Sequence, residues 1–172
     1  TPRATLTTGT PVFAQDGVLV GFAVQRGAVA FNGQGVDARN VDQLDILAQS
    51  VQANAEVWAN KLNVVTGTNQ VDYADGKVTV QPVSSAAAPV SLDVSQLGGM
   101  YANTVRLIGT QQGLGVNSQG TIAAIGGDLQ ITQAGDIRLG GRTQASGAAT
   151  LSGADVQHSG SLVAGSGVSI TG

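Results

Sequence analysis

Cysteine is absent from the 172 residues, and aromatic side chains make up only 3% of them. The first absence excludes disulfides, thiolate metal centres and cysteine nucleophiles, and it suits a surface or secreted bacterial protein that dispenses with oxidative folding. The second means that a core must be assembled from Val, Leu, Ile and Ala, which suit thin, regular layers of strand. Charge is scarce as well, at 11% where about 25% is usual. The chain holds one Glu, two Lys and one Met, so a helical bundle is excluded, because helix surfaces are normally built from such residues. The single His158 makes a histidine metal site or a Ser-His-Asp triad hard to build. Six Arg and two Lys are scattered along a chain of pI near 4.7, which leaves no nucleic-acid footprint. No window reaches the ~18 uninterrupted apolar residues of a membrane span, and no basic-then-apolar leader opens the chain. It begins at Thr1 and not at Met, and so reads as a segment excised from something longer.

What is present is glycine, valine and uncharged polar residues. There are 25 Gly, 22 Val, and 51 residues of Ser, Thr, Asn and Gln together. With 42% hydrophobic content and a net charge of −3, disorder is excluded. The length predicts one domain, residues 1–172.

Periodicity turns this composition into an architecture. Leu129-Gln130-Ile131-Thr132 returns twenty residues later as Ala149-Thr150-Leu151-Ser152, and again as Val168-Ser169-Ile170-Thr171. Val105-Arg106-Leu107 fills the same slot 24 residues before Leu129. The pairs Val105/Leu107, Leu129/Ile131, Ala149/Leu151 and Val168/Ile170 are predicted to point inward. Between them lie shorter alternating runs fenced by Gly or Asn: Leu114/Val116, Ile122/Ala124, Ile137/Leu139, Val156/His158 and Leu162/Ala164. Three short strands per coil of about 20 residues cannot bury a core singly, but stacked on similar neighbours they bury a continuous one. That is a parallel β-helix, all-β, with glycine at corners that need positive φ or leave no room for a side chain.

Two stretches depart from the coil pattern. Asn69 to Pro82 alternates as a hairpin with Asp75-Gly76 at its turn, and Pro82 to Pro89 reads as a connector, which makes residues 69–90 an excursion. Val12-Phe13 and Val18 to Val24 flank Asp16-Gly17 as a second hairpin, followed by a strand at Ala28 to Phe31, which makes 11–31 another. Val41 to Val57 is ambiguous: Val41, Leu44, Leu47 and Val51 fit a helical stripe, and Leu44, Ile46 and Ala48 fit alternation. Strand is the reading adopted, because the neighbours are strands. Ala59-Asn60-Lys61-Leu62-Asn63-Val64 also parallels Ala102-Asn103-Thr104-Val105-Arg106-Leu107, 43 residues on.

At this point a family resemblance emerges. Thr1 to Gly9, Val57-Trp58-Ala59-Asn60-Lys61-Leu62 to Val71, Leu97-Gly98-Gly99-Met100-Tyr101-Ala102-Asn103 and Gly113-Leu114-Gly115-Val116 form an ordered set. The set resembles the haemagglutination-activity, or two-partner secretion, domain of filamentous haemagglutinin-like exoproteins. It covers roughly residues 1–127, and the remainder looks like the first generic haemagglutinin coils. The resemblance implies a right-handed parallel β-helix with extra-helical hairpins. It also implies a Gram-negative exoprotein carried by an outer-membrane β-barrel transporter, and then a host-cell or bacterial-cell receptor. The family's N-terminal part, with its Asn-Pro-Asn type secretion motif and capping strands, does not occur here. This segment alone is therefore expected to lack the full secretion signal, and no transporter-contact residues are carried over.

Each candidate for chemistry has a structural reading beside it. Gly33-Gln34-Gly35 and Gly113-Leu114-Gly115 open no helix and carry no Lys-Ser/Thr, so they read as corners and not as phosphate loops. Gly126-Gly127-Asp128 resembles a calcium roll, but Asp128, Asp136 and Asp155 fall singly, as turn carboxylates do. Asp42 and Asp45 suggest an acid/base pair; with the lone Glu56 and few aromatics, solvated turn positions are expected. His158 sits at inward parity and reads as a packed or edge residue. Trp58 is expected to point outward against a hairpin, and Met100 and Tyr101 to seal the junction where the second excursion returns. No catalytic, cofactor-binding or metal-ligating residue is therefore expected. The readings carried forward are a non-catalytic segment of the secretion domain of a large adhesin, the scaffold of a contact-dependent growth inhibition toxin carrier, and, from another class, a β-helical polysaccharide-active enzyme.

Overall fold

The computed structural model describes residues 3–73, 75, 77–80 and 90–172, and every regular element among them is a strand. Three parallel faces wind into a β-helix. The first face stacks Arg3–Thr7, Gln43–Ala48, Lys61–Thr66, Thr104–Gly109, Leu129–Gln133, Ala148–Ser152 and Gly167–Thr171. The second stacks Ala28–Phe31, Ser50–Ala53, Val90–Val94, Leu114–Ser118, Asp136–Leu139 and Val156–His158. The third stacks Val36–Ala38, Glu56–Ala59, Gly99–Ala102, Thr121–Ala124, Arg142–Ala145 and Ser161–Ala164. The chain visits first, second and third face in turn, so each coil contributes one strand to each.

Register aligns the predicted inward pairs. Val105 stacks on Leu129, Leu129 on Ala149 and Ala149 on Val168; beside them Leu107, Ile131, Leu151 and Ile170 form a second column. That second column extends back through Val64 and Ile46 to Leu6. From Ile46 to Leu151 it is solvent-free, whereas Leu6 and Ile170 at its two ends are 38% and 49% exposed. Stacking of similar neighbours is thus the source of burial along this inward column, as the short strands demanded. The 43-residue echo is a true neighbour relation too, since Lys61 pairs with Thr104 and continues in register to Thr66 with Gly109.

The region 41–57 is strand, in three pieces: Gln43–Ala48, Ser50–Ala53 and Glu56–Ala59. Its helical look has a physical cause. Leu44 and Ile46 point into the coil, while Leu47 points out and is still 2% exposed, because another layer covers it.

That layer is a four-stranded antiparallel sheet, Val78–Val80, Asn69–Asp72, Leu19–Val24 and Thr10–Phe13 in spatial order. Both excursions leave from the end of a first-face strand, and they join through pairing of Asn69–Asp72 with Leu19–Val24. The Asp16-Gly17 turn closes as expected, with the Val18 amide donating to Asp16 Oδ1 at 3.1 Å and Gly17 at φ 85°. Ala28–Phe31 corrects the expected limits of the first excursion: it pairs in parallel with Ser50–Ala53 and belongs to the solenoid. The expected connector from Pro82 to Pro89, and Gly76 of the second turn, lie outside the described residues.

Of the glycines singled out, Gly33, Gly35 and Gly113 have positive φ. At Gly35 a β-carbon would also run into the Glu56 carbonyl of the next coil, so this corner excludes any side chain.

Candidate functional site

The extra-helical sheet is held on the first face by an apolar cluster and one ion pair. Phe22, Val24 and Val71 of the sheet pack on Leu47 and Val65 of the coils, and Tyr73 meets Phe22 edge-on at 6.4 Å. Beside this cluster Asp45 is fully buried. The expectation of a solvated turn fails there, because Asp45 lies mid-strand on the outward row and the added layer roofs it over; Asp42, by contrast, is exposed. Asp45 Oδ2 takes the Arg3 Nε ion pair, and Oδ1 accepts from Gln43 Nε2 at 2.8 Å and Asn63 Nδ2 at 3.2 Å. Arg3 also donates to the Tyr73 carbonyl and lies 4.5 Å over its ring. A buried carboxylate must be paired and hydrogen-bonded in this way, and the result latches the first strand, the second coil and the excursion together. Asp42 and Asp45 do not converge on a shared proton-transfer site.

On the third face the structure corrects the placement of Trp58. It points outward as expected, but meets no hairpin: it stacks on Tyr101 of the next coil at 4.3 Å and 13°, with Arg39 4.9 Å over its other face. Its Nε1 donates to Glu56 Oε2 at 2.8 Å. Asp37 accepts from Arg39 at 2.6 and 2.8 Å, and that guanidinium holds the Asp37 carboxyl down at about 2 and pushes Arg39 above its usual value. Both ring faces of Trp58 are therefore occupied, and the group spans three coils as an external clip. Met100 does not seal a junction either. It lies wholly inside, between Val57 and Ile122 in register, while Tyr101 faces out.

The corner between first and second faces is polar inside. Gln111 Nε2 donates to Thr68 Oγ1 at 3.3 Å, Thr110 Oγ1 to Asn69 Oδ1 at 2.6 Å, and Asn69 Nδ2 to the Thr66 carbonyl at 3.0 Å. Gln133 folds over Gly109, where a β-carbon would run into its Oε1. His158 continues the inward column one coil beyond Leu139, but there, near the end of the stack, it is exposed. Asp128 and Asp155 are exposed and Asp136 is half-buried. Asp128 Oδ1 accepts from the Ala148 amide at 2.9 Å, and Asp155 Oδ2 from Gln157 Nε2 at 3.1 Å. Among the described residues no group of three or more His, Cys, Asp or Glu is placed to hold a metal, and no helix is long and apolar enough to cross a membrane.

Comparison with known proteins gives this geometry a context. Residues 1–139 match the model of the TPS secretion domain, and residues 144–172 that of the haemagglutinin repeat. The chain is 50% identical over 145 residues to the tRNA nuclease CdiA-2 of Burkholderia pseudomallei (strain 1026b), covering 84% of this chain and 5% of that protein. It is 40% identical over all 172 residues to the 16S rRNA endonuclease CdiA of Enterobacter cloacae subsp. cloacae, again 5% of the relative. The chain thus spans about 5% of the length of the curated relatives it matches. Among solved structures, the crystal structure of a filamentous hemagglutinin secretion domain superposes with a TM-score of 0.82 at 27% identity, over 98% of this chain and 59% of that one.

Proposed function

Since the chain belongs to the TPS secretion domain family, we propose that it is a non-catalytic segment of the secretion domain of a large exported adhesin, acting as one β-helical domain over residues 1–172. The observation that carries this reading is the unbroken inward column. Leu107, Ile131, Leu151 and Ile170 stack in register from the part matched as secretion domain into the part matched as haemagglutinin repeat. Such a segment is a template: each further coil adds one strand spacing, about 4.8 Å, and buries the apolar rows of the coil before it. An outer-membrane β-barrel transporter of the two-partner type is the export partner, and a cell-surface receptor is met later through the full-length protein. Folding outside the cell helps to draw the chain outward. In the full-length exoprotein expressed with its transporter, Leu129→Asp with Ile131→Asp is expected to lower the secreted yield several-fold while Gln130→Asp, on the outer row, leaves it intact; unchanged export of the double variant overturns the proposal.

A second reading is favoured by the relatives, several of which are named as nucleases or toxins. In it the segment is the same scaffold, and the whole protein delivers a toxin to neighbouring bacteria. Growth inhibition of a susceptible strain in co-culture, relieved by a small protein encoded beside the exoprotein, supports this reading, and receptor-dependent adhesion without inhibition supports the first.

A further inference from the structure

Beside the edge of the extra-helical sheet, the outer surface of the first face opens a cleft of about 270 Å³. Lys61, Asn63 and Arg106 of the first face line it together with Arg3 and Asp75. Lys61 pairs in register with Thr104 and Asn63 with Arg106, so the two cations are diagonal neighbours on adjacent strands. Among the described residues neither charge is paired with a carboxylate. The Lys61 ammonium makes no hydrogen bond or ion pair among the described residues, and Arg106 spends one side-chain nitrogen on Asn63 Oδ1 at 3.3 Å and meets no carboxylate.

The nearby carboxylates are otherwise engaged. Asp45 is saturated by Arg3, Gln43 and Asn63, and Asp75 accepts from the Lys77 amide at 2.9 Å. Asp42 borders an adjoining hollow that shares Lys61, and forms no ion pair with it. Arg3, Lys61 and Arg106 line the cleft with a single carboxylate, Asp75. Because buried Asp45 neutralises Arg3 from behind, Lys61 and Arg106 face Asp75 alone, a local excess of one positive charge in a chain of net charge −3. Arg106 is also held in place by a relay. Buried Asp45 fixes the Asn63 amide, whose oxygen then receives the guanidinium.

We propose that this cleft binds a carboxylate side chain presented by an acidic, extended peptide segment of a partner protein. One excess positive charge suits a monoanion better than a phosphate dianion, and a guanidinium fork beside an ammonium matches a carboxylate. The volume lies below the roughly 300–1,000 Å³ of sites that enclose small molecules, so one side chain enters while its backbone stays outside. The inference stands on the cleft's charges and is independent of the export reading.

The test is an NMR titration of the isotope-labelled chain with a capped peptide of three consecutive glutamates between glycines. The same peptide with glutamines, and inorganic phosphate, serve as the comparison arms. Saturable shifts at Lys61 and Arg106 are expected with the glutamate peptide only. Lys61→Gln and Arg106→Gln are expected to weaken binding by about tenfold each, with the rest of the spectrum unchanged, and Arg142→Gln on the third face is expected to leave it as it was. Equal loss in Arg142→Gln shows diffuse attraction, phosphate binding as tight as the peptide shows a generic anion site, and absence of saturable shifts shows no site; each overturns the proposal.

Discussion

The outward rows of the first face differ between the two halves of the chain. In one outward column, Leu47, Val65 and Ile108 are followed in register by Thr132, Ser152 and Thr171. The first two are buried under the antiparallel sheet, Ile108 is half-buried at its border, and Thr171 is exposed. One solenoid wall thus carries two chemistries, and what decides between them is whether a second layer lies on it. A bare wall needs only its inward positions to be apolar. A covered wall needs both, and then the period-2 alternation that marks a half-buried strand disappears from the sequence.

The sharpest way to break this contrast is to place the same charge on the covered and the bare part of one column. Val65 is 1% exposed between two apolar layers, so Val65→Asp is expected to destabilise by about 4 kcal/mol or more, as an unpaired buried carboxylate does. Thr132→Asp, two coils further on, is expected to change stability by no more than about 1 kcal/mol. Urea unfolding of both variants measures the difference. Equal losses would mean that the antiparallel sheet is only loosely applied to the coils.

A second pair of substitutions probes the polar counterpart. Arg3 is the only charge partner of buried Asp45 among the described residues, with 19% of its own side chain exposed. Arg3→Ala is expected to cost about 3 kcal/mol, because one partner of a buried pair is left uncompensated. Arg138→Ala, at an exposed arginine of the second face, is expected to stay within about 0.5 kcal/mol. Hydrogen exchange sharpens the comparison: Arg3→Ala should deprotect amides of 19–24 and 69–72, which rest on the latch, before those of 129–133.

This division explains what the sequence disclosed. From Val105 onward, spacing alone placed the strands, their inward residues and even the inward parity of His158, because beyond Ile108, at the border of the antiparallel sheet, no second layer among the described residues lies outside those coils to blur alternation. In the first half, the same rule left 41–57 torn between helix and strand, since Leu47 is apolar for the sake of a layer encoded elsewhere. The two hairpins were visible from Asp-Gly turns, but their union into one sheet depends on strands from separate excursions, which local patterns do not report. The same holds for the site residues. Asp45 looked like a surface carboxylate because its burial comes from the excursions, and Arg106 carried a faint signal only, in occupying the slot of Asn63 at the 43-residue echo. Trp58 was placed outward correctly, yet its partners Arg39 and Tyr101 sit one coil below and one above, a distance in sequence that only the register converts into contact.

The smallest expected effect lies on the bare third face, where both side chains of the Asp37–Arg39 pair are more than half exposed. Its geometry is bidentate, and it draws the Asp37 carboxyl down from 3.8 to about 2. A carboxyl whose folded value lies below its unfolded value contributes stability above the unfolded value, and that contribution is lost as pH falls from 3.8 toward 2. Solvent screening keeps the contribution small for an exposed pair, so Asp37→Asn is expected to leave the urea midpoint at pH 7 unmoved. The titration itself is the sensitive readout. Carbon-detected NMR should place the Asp37 midpoint near 2 in the native chain, moving back toward the ordinary carboxylate value in Arg39→Gln. In that same variant the Trp58 ring loses the guanidinium over one face while keeping Tyr101 on the other, so the near-ultraviolet dichroism of the stacked pair should persist. Disappearance of that signal would mean that Arg39, and not the aromatic contact, holds the clip closed, and that even the uncovered wall of the solenoid depends on charge to keep its outer row in order.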